Sequence, residues 1–156
     1  MGSMTHLTLP YPISANRYWA TRVIKVKGTA KYRAMTYVTP EAEQYRREVE
    51  AIAAAAGLSS ATQGGVLLHV QLYPNRPHDW ARRARKEPTW DDSVMCIDLG
   101  NCEKVLSDAL NGIAWADDKQ LRRIVLERAE PDKGARLEVA VVYLAASPSL
   151  FGEAVA

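Results

Sequence analysis

Between Gly64-Gly65 and Pro74 the chain reads Val66-Leu67-Leu68-His69-Val70-Gln71-Leu72-Tyr73, and no other stretch constrains the fold as strongly. Its apolar and branched residues suit a largely buried strand, and Pro74, which has no amide to donate, ends it. A buried strand needs partners. Leu7 to Leu9, ahead of Pro10 and Pro12, suggest a short strand running into a loop, and Gln120 to Ala129 and Ala135 to Leu144 read as two more. The turn sequence Pro131-Asp132-Lys133-Gly134 predicts that these last two form a hairpin. His69 is expected to face a neighbouring strand, as histidines isolated in strands usually do.

Two helices interrupt the strands. Thr39-Pro40-Glu41 puts a cap, a proline at the first helical position and an acidic first turn in order, which predicts a helix from Pro40 to Ala56 that stops at Gly57. A second helix is expected from Asp98 to Asn111, with Gly112 where helices commonly end. The order strand, helix, strand, helix, strand, strand favours an α+β fold in two layers, with helices packed on one mixed β-sheet. Asn75 to Val94 lacks periodicity, and an aperiodic loop of about 20 residues inside a small domain points to a substrate-binding arm.

The chain has 156 residues, 47% of them apolar and 24% charged, enough for one ordinary core without disulfides or a structural metal. Residues 4–146 are expected to form a single domain, with residues 1–3 a cloning remnant and residues 147–156 a flexible tail. Cys96 and Cys102 form no CxxC pair, and the three histidines are scattered, so a structural zinc site is not expected. No apolar run reaches the roughly 18 residues of a membrane span, and no signal sequence opens the chain. It reads as cytoplasmic.

The net charge of +2 says little, but its distribution says more. From Arg17 to Arg33 six basic residues (Arg17, Arg22, Lys25, Lys27, Lys31, Arg33) occur with no acidic one, interleaved with Tyr18, Trp19 and Tyr32. A second cluster, Arg76, Arg82, Arg83, Arg85 and Lys86, contains Trp80 and ends at Trp90. Such strips can follow phosphates while their aromatics stack on bases, or can simply be solvated surface.

The chemistry concentrates in Ile97-Asp98-Leu99-Gly100-Asn101-Cys102-Glu103-Lys104 and the stretch that follows, through Asp108 and Gly112 to Asp117-Asp118-Lys119-Gln120. At 100° per residue, Leu99, Cys102, Leu106, Ala109 and Leu110 share one helical face that seals the core, while Asp98, Asn101, Lys104 and Asp108 gather on another. Phosphodiester hydrolysis uses this kind of set. Carboxylate oxygens such as those of Asp98 and Asp118 can hold Mg²⁺ together with a substrate phosphate, and Lys104 can offset charge that develops on the phosphate or leaving group. The same residues also read as a helix cap, an i,i+4 pair and a solvated turn.

Asp98-Leu99-Gly100-Asn101-Cys102-Glu103-Lys104, Asp108-Ala109-Leu110-Asn111-Gly112 and Trp115-Ala116-Asp117-Asp118-Lys119-Gln120 together resemble the signature of the RusA family of Holliday junction resolvases, D-x-D-N-x-x-K followed by D-D-x-Q. Leu9-Pro10-Tyr11-Pro12-Ile13-Ser14-Ala15-Asn16-Arg17-Tyr18 is similar to that family's proline-rich opening with its N-R-Y. The resemblance implies a dimeric, Mg²⁺-dependent nuclease, with Mn²⁺ as a substitute ion, from a bacterial or phage-infected cell. Such an enzyme nicks four-way junctions or other branched DNA in pairs. By position it implies Asp98, Lys104 and Asp118 as catalytic residues and Asp98, Asp118 and Asp117 as metal ligands. Asn16, Arg17, Arg22, Lys25, Lys27, Arg76, Arg82, Arg83 and Asn101 are the DNA-binding candidates. Gly100 stands where the motif has its second aspartate. Asp117, Asp91 or Asp92 supplies the missing oxygen, or a water does, or the centre is weakened and the protein chiefly binds branched DNA.

Overall fold

The computed structural model of the protein describes residues 2–60 and 63–145, so the expected tail at 147–156 lies outside the described residues. Its main sheet has four strands: β1 (Met4–Pro10), β4 (Val66–Tyr73), β5 (Leu121–Arg128) and β6 (Arg136–Tyr143), in the order β1-β6-β4-β5. The β1/β6 and β6/β4 pairs are antiparallel and β4/β5 is parallel, so the sheet is mixed. Ser3 also joins the β1 side, its carbonyl accepting from the Tyr143 amide at 2.9 Å. Two long helices, α2 (Pro40–Ala55) and α4 (Leu99–Leu110), provide the buried residues of the second layer. The two-layer α+β architecture is as the element order predicts.

Both helices start where their caps direct. The Thr39 hydroxyl accepts from Ala42 N with Pro40 opening α2, and Gly57 follows with φ +80°. Ala42, Tyr45, Val49 and Ala53 of α2 and Cys102, Val105, Leu106, Ala109 and Leu110 of α4 are buried against Leu7, Leu9, Leu68, Val70, Leu72, Leu137, Val139 and Val141. Truncating a fully buried leucine such as Leu72 to alanine in a core of this kind costs about 2–5 kcal/mol.

Four expectations need correction. First, β4 is buried on one face only: Val66, Leu68, Val70 and Leu72 are buried, whereas His69 and Gln71 are exposed. A two-layer fold covers one side of a sheet, and on the open side Leu67 and Tyr73 are merely half-covered. His69 does meet a neighbouring strand, through Glu127 of β5 at 2.8 Å.

Second, β5 and β6 form no hairpin, because β4 lies between them. The seven residues from Ala129 to Ala135 are long enough to cross the roughly 10 Å spanned by two strand spacings. The apolar β4 takes the central place, and β5, which carries Arg122, Arg123, Glu127 and Arg128, takes the edge, where charge blocks further pairing. Arg136 fastens the crossover by bonding Asp132 at 2.7 Å, the Gly134 carbonyl at 3.1 Å and Glu138 at 2.6 Å.

Third, Leu99 does not seal the core. It is 39% exposed, beside Leu121, Ile124 and Leu126 of β5. The buried seam of α4 runs instead through Cys102, Val105 and Leu106, since the first turn sits at the rim of the edge strand.

Fourth, two stretches read as irregular are structured. Residues after the short helix α1 (Ala15–Tyr18) form an antiparallel ribbon of β2 (Trp19–Lys25) and β3 (Tyr32–Val38), separate from the main sheet. It carries no fully buried side chain, so it leaves no apolar alternation to read. Within 75–94 lie α3 (Trp80–Lys86) and a 3-10 turn at Trp90–Ser93. Buried Trp90 donates to Glu130 at 3.1 Å, and Arg128 donates to the carbonyls of Asp91 and Val94, which pins this arm to the end of β5.

Candidate functional site

The first turns of α4 organise the site. Asp98 is the N-cap, its Oδ1 accepting from Asn101 N at 2.8 Å while its Oδ2 accepts from the Asn101 side-chain amide. The cap fixes the carboxylate at the positive end of the helix dipole, where an anion is favoured by about 0.3–1 kcal/mol. Gly100 has an ordinary helical φ, and a Cβ added there would meet only Asp98 Oδ1, at 3.5 Å. Gly100 also lines a groove with Asp118, Glu103 and Leu99. Asp98 thus approaches the position of Gly100 directly, whereas Asp118 shares only the groove that Gly100 lines.

The acidic turn divides its labour. Asp117 caps the 3-10 turn Asp118–Gln120, accepting from Lys119 N at 2.9 Å, while Gln120 accepts from the amides of Ala116 and Asp117. Asp118 accepts one bond from the indole of buried Trp115 at its Oδ1, 3.1 Å away, which orients the carboxylate. Asp91 and Asp92 lie elsewhere. Their turn is bonded to Arg128, at the opposite end of β5 from Leu121 and so about 23 Å along the strand from the Asp118 side.

Lys104 lies one and a half helical turns beyond Asp98, and its ammonium stands over the Trp19 ring, 5.6 Å from the centroid. Those two residues share a groove with Asn16 and Thr36. The underlying grip is double. One turn along α4, Asp108 accepts from the hydroxyl of fully buried Tyr18 and lies 4.0 Å from Arg46. Burial, reinforced by that carboxylate, holds the Tyr18 hydroxyl far above its ordinary pKa, so it stays a donor. Asp108 therefore meets Tyr18, the last residue of the N-terminal motif, and Lys104 meets Trp19, which follows it. The importance of Trp19 was not legible in the sequence, where it reads only as an aromatic within a basic strip. The contact with α4 is tertiary.

Asp98, Asn101 and Arg17 line a third groove, with Tyr11, Ile13 and Met95. Tyr11 donates to Cys96 and accepts from Ile97 N at 2.7 Å, and burial pushes its hydroxyl up to about 12. Cys102 is raised to about 12 by burial and is unreactive packing rather than a nucleophile. Asp98, Asp118 and Lys104 thus line three different grooves around α4 rather than one shared pocket. Among the described residues no three acidic, histidine or cysteine side chains converge as a metal site. Asp98 and Asp118 each offer one hard carboxylate, from different grooves. That suits Mg²⁺, which is typically held through one or two protein carboxylates plus substrate phosphate.

The basic residues fall on two arms. On the ribbon, Arg22 lies over Tyr37 at 5.3 Å, and Lys25 and Lys27 are exposed near its tip. On the other arm Arg76 stacks over Trp80 at 4.5 Å, Arg82 and Arg83 pair with Asp79, and Arg85 and Lys86 are exposed. Arg17 pairs with Glu41 at 2.6 Å. Among the described residues no helix is long and apolar enough to cross a membrane.

Comparison with known proteins adds a second line of argument. A crossover junction endodeoxyribonuclease rusA of Enterobacteria phage 82 is 28% identical over 140 residues, covering 89% of this chain and 94% of that protein. The sequence model of the family Endodeoxyribonuclease RusA matches residues 10–142, from the end of β1 nearly to the end of β6 and including both acidic motifs. This chain belongs to the RusA family.

Proposed function

We propose that this protein is a structure-selective endodeoxyribonuclease that resolves four-way DNA junctions by Mg²⁺-dependent paired nicking, acting as a homodimer. The observation that carries the reading is the set of residues around the start of α4, where Asp98 caps the helix beside Gly100, Asp118 lines the groove that Gly100 lines, and Lys104 stands farther along the same helix. The relative from phage 82, whose name describes a crossover junction endodeoxyribonuclease, supports the substrate. Asp98 and Asp118 would hold the ion, which would polarise the scissile phosphate and help generate hydroxide. Asn101 fixes the rotamer of Asp98, Trp115 fixes that of Asp118, and Lys104 offsets charge on the phosphate. The ribbon and the α3 arm supply cations for the phosphates of the junction arms, and a twofold dimer suits the approximate twofold symmetry of the substrate.

Nicking of a synthetic four-way junction, run beside a gel-shift assay, tests the reading. Asp118→Asn is expected to abolish cleavage and leave affinity intact or improved, because it removes a carboxylate that repels phosphate as well as holding the metal. Lys104→Ala should also stop turnover. Undiminished nicking by Asp118→Asn takes that residue out of the mechanism. A second reading, a branched-DNA-binding protein with a weakened centre, is favoured by glycine at position 100 and by a donor set of two carboxylates rather than three. It predicts salt-dependent junction binding without nicks.

A further inference from the structure

The groove beside Asp98 differs in chemistry from the other surfaces of the site. It has a volume of about 630 Å³, its apolar lining includes Pro12, Ile13, Met95 and Ile97, and its polar lining includes Ser14, Arg17, Asn75, Asp98 and Asn101. Met95 is 94% exposed, so the fold does not use its side chain. Asn75 is exposed and has no hydrogen-bond partner among the described residues. Asn101 spends its side-chain amide on Asp98, which leaves its carbonyl oxygen to accept. Apolar walls with a few amide groups suit a flat ligand that has apolar faces and a hydrogen-bonding edge. They suit a phosphate less, because Arg17, the cation on the lining, is paired with Glu41 at 2.6 Å and Asp98 adds a negative charge.

We propose that this groove takes an unstacked nucleobase from the branch point of the DNA, next to the phosphate presented to Asp98. The proposal rests on the branched-DNA reading above and adds a recognition subsite to it. A paired, stacked base cannot enter such a groove, but a base at a branch point has already lost regular stacking and costs least to extrude. The amide donors and acceptors of Asn75 and Asn101 then read its edge, as asparagine does with base edges elsewhere. Met95 is a flexible apolar wall against one face, a role in which an unbranched thioether adapts to different rings. The groove therefore contributes to which phosphate is cut, separately from the cations that hold the arms.

The test uses the whole protein, a four-way junction with 2-aminopurine at the branch point, and EDTA, so that binding is read without cleavage. Wild-type protein at saturation should raise the fluorescence severalfold as the base leaves its stack. The double variant Met95→Ala/Asn75→Ala changes no charge and removes only exposed side chains. It should keep the salt dependence of binding but lose the rise, and Met95→Leu should keep it. With Mg²⁺ and a library randomised at the branch, the double variant should scatter its nicks over more sequences than wild type. Salt-dependent binding with no fluorescence rise in wild type, or an equal rise in the double variant, overturns the base subsite and leaves the nuclease reading standing. A fluorescence rise without nicking in Mg²⁺ upholds the subsite and removes the nuclease. No salt-dependent binding at all removes both.

Discussion

Gly100 is the residue at which sequence and geometry meet most directly. Its helical φ and the 3.5 Å separation between an added Cβ and Asp98 Oδ1 mean that an aspartate fits without backbone strain. In the first turn of a helix it would also gain about 0.3–1 kcal/mol from the dipole. Against that stands repulsion from Asp98, which a divalent cation would relieve. Gly100→Asp should therefore lower the Mg²⁺ concentration needed for half-maximal junction cleavage and make the melting temperature rise with added Mg²⁺ more than in wild type. Metal titrations of activity and of Tm check this. Identical curves for both proteins would show that no deficit exists at this position.

At the scale of elements, the junction of α1 and β2 is joined to α4 by two contacts, Tyr18 to Asp108 and Trp19 to Lys104. A cation over an indole gains about 0.5–1 kcal/mol when exposed and about 2 when desolvated. Trp19→Leu should therefore slow single-turnover cleavage about three- to thirtyfold with unchanged junction affinity, and Trp19→Phe should recover part of the loss. Equal rates for leucine and phenylalanine would mean that the ring acts only as packing. The β5–β6 crossover makes a separate prediction. Hydrogen bonds from Arg136 hold the Asp132 carboxyl well below its ordinary value of 3.8. A depressed acid contributes stability above its unfolded pKa, lost as pH falls from near 3.8 toward the folded value. Asp132→Asn should lower Tm at neutral pH and flatten the acid side of the Tm profile, an effect moderated by the solvent around this half-exposed pair. An unchanged acid limb would show that the crossover is held by its backbone alone.

Across the whole molecule two structured arms outside the main sheet carry clusters of cations: the β2/β3 ribbon and the α3 segment pinned to β5. Counterion release gives a slope near −0.9 per neutralised phosphate in log affinity against log salt. Lys25→Ala/Lys27→Ala should make that slope shallower by about 1.8 if both touch phosphate. Fluorescence anisotropy at several salt concentrations checks it, and a parallel shift with no change in slope would leave the ribbon without phosphate contacts. Trp80 is 37% exposed and already has a cationic partner on its ring. Arg76 covers its ring at 4.5 Å and Trp90 lies 6.2 Å away, so it is a pedestal for Arg76.

The sequence by itself determined what local physics controls. Caps and prolines placed α2 and α4, and an apolar run placed β4. The spacing of Asp98, Asn101 and Lys104 put them near one helix start, because cap geometry and the i, i+3 and i, i+4 relations depend only on nearby residues. Strand order was beyond it. The turn at Pro131–Gly134 suggested a hairpin, yet only the competition of all strands for a central, one-sided core set β4 between β5 and β6. The ribbon lay hidden because neither of its faces is buried. Likewise, that Trp19 lies under Lys104, that Asp118 rather than Asp117 shares the groove of Gly100, and that Met95 stands exposed beside Asp98 are facts of tertiary structure. They depend on packing between segments far apart in the chain, and no periodicity within either segment records them.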